Sequence, residues 1–201
     1  MIELVVATRN RHKTREIQDI LGPEFRVRDL GAHPELSEIR ESGTSFEENA
    51  KLKALAASRQ LPALVIADDS GLEVDALGGA PGIYSARYAG ANATEGDKID
   101  KLLGQLARVR ATDDGRSARF RCVVALARND NLLGVSEGVV EGRIANEVRG
   151  DSGFGYDPIF VPDGFEQTFG ELPAGVKNTI SHRAKAIRAL AVKLGQFQRA
   201  D

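Results

Sequence analysis

PALVIADD, residues 62–69, is a short apolar run rich in β-branched side chains that stops at two adjacent acids. The run reads as a buried strand with Asp68 and Asp69 at its carboxyl end. That edge is where open α/β sheets bind ligands, and two uncompensated carboxylates there are costly unless a cation or proton is shared between them. A hard divalent metal is the natural partner, and the alternative is a pair of turn aspartates capping a loop. Strand alternation points neighbours to opposite sides, so only one of the two acids faces straight into a cleft. The stretch ADDSGLEVDALGGAPGIYSARY, residues 67–88, continues as a glycine-rich, aromatic-tipped loop able to approach a ligand closely. Tyr84 and Tyr88 are explained equally by packing, and Arg87 by phosphate binding or by pairing with an acid.

Outward from this centre, the first apolar run, residues 2–7, reads as another buried strand. It breaks into Thr8, Arg9, Asn10, Arg11, His12 and Lys13 before the helical period of Ile17, Ile20 and Leu21 begins. Strand, polar turn and helix start together aim backbone N–H groups and a positive helix end at the ligand edge, with Thr8 and Asn10 as donors and Lys13 as a point charge. A polyphosphate fits there. The other reading is a helix capped by Thr8 or Asn10 with a solvated basic first turn, although cations there oppose the helix dipole. Phe25 to Leu30 alternates like a half-buried strand, and residues 31–43 form a loop whose Glu35, Glu38 and Glu41 read as solvated charges, with Glu41 close enough to the next helix to reach a cleft.

TSFE, residues 44–47, has capping-box spacing ahead of a helix reaching to about Leu61. Asn49 and Lys53, four apart on one face, read as a second hand on phosphate or as an exposed helix surface, and Glu47 with Lys51 as a surface ion pair. Thr94 caps a packing helix built on Ile99, Leu102, Leu103 and Leu106. Residues 118–127 and 132–140 read as a hairpin, and a third short strand is expected near residues 143–148. SGFGYDP, residues 152–158, is a glycine-permissive turn presenting Phe154 and Tyr156 with Asp157, either to stack on a base or to fill a core. Ser181 caps a last amphipathic helix, placing His182 and Arg183 at its positive end near Lys177 in sequence.

The chain has 201 residues, 42% of them hydrophobic, which suits one large domain or two closely merged lobes. A formal charge of -2 lacks the basic excess of a general nucleic-acid binder, so any phosphate must be held locally. No run approaches the roughly 20 apolar residues of a bilayer span, and the N-terminus lacks a leader pattern; the expectation is a soluble, cytoplasmic protein. Cys122, the single cysteine, sits in an apolar alternating run and reads as a buried structural thiol.

Taken together, TRNRHK at 8–13, SFEENAKLKA at 45–54, residues 67–88, GFGYDPIF at 153–160 and SHRAKA at 181–186 resemble the inosine triphosphate pyrophosphatase family, also called HAM1 or RdgB-like. The blocks keep the family order and span nearly the whole chain. The resemblance implies a single domain over residues 1–201, an elongated mixed central sheet flanked by helices, two lobes with an active-site groove, and a homodimer. It implies magnesium-dependent hydrolysis of ITP, dITP and XTP, noncanonical purine nucleotides, to the monophosphate and pyrophosphate. By position, Thr8, Arg9, Asn10, Arg11, His12, Lys13 and Lys53 look like the triphosphate grip. Glu41 and Asp69 look like metal ligands, and Asp69 like the base. Ser70, Phe154, Gly155, Tyr156, Asp157, Lys177, His182 and Arg183 look like nucleoside contacts. Arg9 departs from the glycine common there, either narrowing the backbone's approach to phosphate or adding a cation. Alternatives are a sensor that binds without hydrolysing and a phosphomonoesterase releasing orthophosphate.

Overall fold

The first apolar run forms strand β1 (Ile2–Val6), and Asn10 caps helix α1 (Arg11–Leu21), whose Ile17 is buried. The chain stops the helix at Gly22, where φ is 78°, and turns into strand β2 (Phe25–Asp29). Helix α2 (Phe46–Ser58) then leads to strand β3 (Leu64–Val74). β1 pairs parallel with both neighbours, Leu4 lying opposite Val27 in β2 and opposite Leu64 in β3. Parallel neighbours need crossovers, which α1 and α2 supply. The structure, a computed structural model, describes residues 2–37 and 39–197; Glu38, read above as a solvated loop charge, lies outside them.

Helix α3 (Glu95–Arg108) starts on the expected Thr94 cap, with a reciprocal bond from Asp97. The hairpin is strand β4 (Ser117–Arg128) joined to β5 (Asn131–Ile144) through Asn129 and Asp130, with φ of 49° and 61°. Positive φ at both central residues is what the right-handed twist of a tight hairpin requires. Strand β6 (Phe160–Pro162) pairs antiparallel with the end of β5, Arg143 opposite Val161. The strand order is β2-β1-β3-β4-β5-β6, a mixed sheet accompanied by helices in an α/β fold. Helices α4 (Ala174–Ile180) and α5 (His182–Phe197) complete the chain, with Ser181 between them.

Three local expectations are corrected. β3 does not stop at the acids but runs on to Val74, because Asp68 and Asp69 find cationic partners and need not end the strand. No separate strand forms at 143–148: β5 reaches Ile144, after which Ala145 N and Arg149 N donate to Ile159 O and Pro158 O, both at 2.8 Å, without a regular ladder. The cap of α2 is Ser45, not Thr44; Ser45 Oγ accepts from Glu48 N at 3.1 Å, and Glu48 returns to Thr44 N.

The chain divides into two compact units, Met1–Asp69, Cys122–Gly138 and His182–Asp201 forming one, and Ser70–Arg121 with Val139–Ser181 the other. The first packs Leu4, Ile17, Ile66, Cys122, Leu126, Ile187 and Leu190 into its core. The second packs Leu72, Leu102, Phe120, Phe160 and Phe169, with Phe120 and Phe160 ring centroids 4.7 Å apart. That tilted contact is the geometry aromatic quadrupoles favour. Within the first unit α5 lies hard against β5 at Gly138, where an added Cβ would come 2.1 Å from His182 O. This close approach, with Ser136 Oγ donating to Ala186 O at 2.8 Å, holds His182 and Arg183 in place.

Candidate active site

In the first unit, Asn10 Oδ1 accepts from His12 N at 2.9 Å and Lys13 N at 3.4 Å, while Asn10 N donates to Thr8 Oγ1 at 3.1 Å. The polar turn is therefore a self-supported helix cap. Arg11 and His12 are exposed at its first turn. Arg9 points along the following loop, giving Nη1 to Leu30 O at 3.0 Å and Nη2 to Leu36 O at 2.7 Å. Its guanidinium thus ties down the loop on the way to Glu41.

The two aspartates diverge as strand alternation demands. Asp68, 2% exposed, receives Lys13 Nζ at 3.0 Å and Arg183 Nη2 at 3.0 Å and Nε at 3.3 Å. Burial by itself would raise its carboxyl, but the charges of Lys13, Arg183 and Lys53 outweigh it and hold Asp68 well below the usual range. Arg183 also pairs with Glu16 on α1, and burial of its guanidinium is more than offset by Asp68 and Glu16. Asp69 receives Lys53 Nζ on Oδ1 at 2.9 Å and Asn49 Nδ2 on Oδ2 at 3.2 Å. Burial raises its carboxyl, and Lys53 offsets that only in part.

Lys53 is the hub of this cluster. Its Nζ also donates to Glu41 Oε1 at 2.7 Å and Asp68 O at 2.8 Å. Burial would depress the ammonium, yet Asp69, Asp68 and Glu41 together raise it. Asn49 and Lys53 are buried, so of the readings offered for that helix face the exposed surface is excluded. Asn49 Oδ1 further accepts from Gly43 N at 2.8 Å, fixing the loop end beside Glu41. Glu41 and Asp69 supply hard carboxylate oxygens already wrapped around a cation, a donor set suited to magnesium, which takes one or two carboxylates and fills its shell from phosphate and water. Among the described residues no group of three or more His, Cys, Asp or Glu forms a self-sufficient metal cage.

In the second unit the turn of residues 153–157 is built around Asp157, whose Oδ2 accepts from Phe154 N at 2.8 Å and Lys177 Nζ at 2.5 Å. Gly153 has φ of 77°, and a Cβ there would fall 2.1 Å from Asp157 Oδ2. Lys177 Nζ also stands 4.8 Å from the Phe154 ring centroid, a cation–π contact. Tyr156 is buried and donates to Ser85 O at 3.1 Å, while Phe154 is half-buried. Tyr156 thus anchors the turn from within, while the Phe154 ring meets the Lys177 ammonium. Ser70 is half-buried and follows Asp69 along β3. His182 is buried at the start of α5.

Sequence reasoning missed Glu16 and Ser85. Glu16 follows Lys13 by one helical turn, a spacing visible in the sequence, but its partner Arg183 is 167 residues away. Ser85 Oγ accepts from Leu72 N at 2.9 Å and donates to Gly82 O at 2.7 Å, contacts for which a lone serine in a loop gives no local sign.

Comparison with known proteins adds an independent line. The model of the Ham1 family matches residues 4–193. A dITP/XTP pyrophosphatase of Shouchella clausii is 49% identical over 190 residues, 94% of this chain and 95% of that one. A dITP/XTP pyrophosphatase of Bacillus licheniformis is 47% identical over 200 residues, 98% of this chain and 100% of that one. A solved HAM1 protein from Coxiella burnetii aligns with a TM-score of 0.86 at 42% identity, covering 98% of this chain and 100% of the other. The carboxylate cluster, the α/β fold and these matches over nearly the full length agree, and the chain belongs to the Ham1 family.

Proposed function

We propose that this protein is a nucleoside triphosphate pyrophosphatase that hydrolyses dITP, ITP and XTP to the monophosphate and pyrophosphate, clearing noncanonical purines before they enter DNA or RNA. The observation that carries this reading is the split between two adjacent aspartates, Asp68 enclosed by Lys13 and Arg183 and Asp69 sharing the Lys53 ammonium with Glu41. Neighbouring carboxylates with opposed environments take separate roles, one structural and one able to accept a proton. Asp69 takes the proton from the water that attacks the α-phosphorus, the bond from that phosphorus to the bridging oxygen breaks, and pyrophosphate leaves. Glu41 and Asp69 would hold magnesium, which when bound supplies charge neutralisation at the phosphoryl oxygens.

Thr8, Asn10, Arg11, His12, Lys13 and Lys53 grip the triphosphate, supported by the positive start of α1, and Arg9 joins them only by releasing Leu30 and Leu36. Ser70, Phe154, Gly155, Tyr156, Asp157, Lys177, His182 and Arg183 form the nucleoside set. Phe154 is its stacking ring, since Tyr156 is buried, and Arg183 acts by fixing Asp68. Selection follows from the 6-keto oxygen of hypoxanthine and xanthine, which accepts a hydrogen bond where the 6-amino group of adenine would leave a buried donor unpaired. The family resemblance supports a homodimer acting in the cytoplasm. Among the described residues, no helix is long and apolar enough to cross a membrane.

The test is incubation with inosine triphosphate and magnesium, with and without chelator, followed by anion-exchange separation of products. Inosine monophosphate with equimolar pyrophosphate, lost on chelation, is expected. Diphosphate with orthophosphate would indicate a phosphohydrolase, and binding without turnover a sensor. Asp69→Asn should fold and bind nucleotide but lose at least about a hundredfold in kcat, the low end of what a general base contributes; near-normal turnover would remove Asp69 from the role.

A further inference from the structure

We infer that Lys53 and a divalent cation alternate at one set of oxygens: without nucleotide the Lys53 ammonium occupies the carboxylates, and it moves to the triphosphate when metal and nucleotide arrive together. This deepens the pyrophosphatase reading and rests on it. An ammonium has three N–H donors. Those of Lys53 match three oxygens, Glu41 Oε1 at 2.7 Å, Asp68 O at 2.8 Å and Asp69 Oδ1 at 2.9 Å. Each donor thus has an oxygen, and a phosphate contact requires that at least one be given up. Releasing Lys53 with nothing in its place would leave the buried Asp69 carboxylate and the half-buried Glu41 without their shared countercharge, which is unfavourable.

A dication on the same carboxylates solves that problem and creates another. Magnesium sits about 2.0–2.1 Å from its oxygens, so an ammonium retained on them would lie close to it in a largely desolvated place, where like charges repel strongly. The Lys53 side chain is only 9% exposed and has little room to retreat into water. An anionic triphosphate gives the displaced ammonium a destination. Metal and nucleotide therefore bind cooperatively, each raising affinity for the other by the same factor, and the nucleotide-free protein is protected from idle metal capture by its own lysine.

The experiment measures Mn2+ binding to the nucleotide-free protein by the electron paramagnetic resonance signal of free Mn2+. Lys53→Met should bind Mn2+ about tenfold or more tightly than wild type, whereas Lys53→Arg, which keeps the charge, should not. Adding Glu41→Gln to the Met variant should abolish the gain and so locate it. If Lys53→Met is too unstable for titration, its melting temperature should rise more on adding Mn2+ than that of wild type, because a ligand stabilises the state it binds. Unchanged Mn2+ affinity and an unchanged melting shift in Lys53→Met would overturn the exchange. Wild type failing to make inosine monophosphate and pyrophosphate would instead overturn the pyrophosphatase reading, so the two failures are read apart.

Discussion

Asp68 and Asp69 are identical, adjacent and on one strand, yet burial and partners drive their carboxyls in opposite directions. Asp68 neutralises Lys13 and Arg183 where neither it nor Arg183 meets water. Removing one member of a buried ion pair strands the other, typically at a cost of about 3–5 kcal/mol. Asp68→Asn is therefore expected to lose stability on that scale in urea denaturation at neutral pH. Because its folded value is depressed, the contribution of Asp68 is fully present above the ordinary aspartate value of about 3.9 and fades as pH falls below that toward the folded value. The wild-type midpoint should consequently drop steeply on acidification, and the Asp68→Asn midpoint should follow a flatter course. Asp69 has the opposite sign: its raised value means that protonation favours the folded state at that position.

At the scale of elements, the turn of residues 153–157 shows how a short loop becomes specific. Its shape rests on Asp157 receiving Phe154 N and Lys177, and on Gly153 leaving the space that Asp157 fills. Gly153→Ala meets both a steric block at 2.1 Å and a positive φ of 77°. It should displace Asp157 and the Phe154 ring, raising KM for inosine triphosphate by about tenfold or more while kcat falls less, since a lost stacking contact weakens ground and transition states alike. Steady-state kinetics decide this; an unchanged KM would detach the turn from the nucleoside. Helix α2 makes a complementary point, for its periodicity was readable while the burial of Asn49 and Lys53 was not. Polar residues at helical spacing look the same in sequence whether they face solvent or a buried carboxylate.

Over the whole molecule, the two units keep separate cores, one rich in aliphatic side chains and the other centred on Phe120, Phe160 and Phe169. Phe160 is fully buried, so Phe160→Ala should cost about 3–5 kcal/mol through lost transfer energy and an unfilled cavity, measured as a shift in the denaturation midpoint. Cys122 lies in the other core, and burial pushes its thiol up to about 12, consistent with the inert role read from its apolar setting. The sequence by itself determined the α/β class, the helix start at Thr94, a first helix capped at either Thr8 or Asn10, the hairpin and the acidic centre, because hydrophobic period, capping chemistry and turn residues act over a few neighbours. Tertiary structure alone decided that β3 continues through its acids, that Lys53 closes on three oxygens, that Arg183 reaches Asp68 and Glu16, and that Tyr156 hangs from Ser85. Each of these joins residues far apart in the chain, and the energy of burying a charge depends on which distant partner arrives beside it.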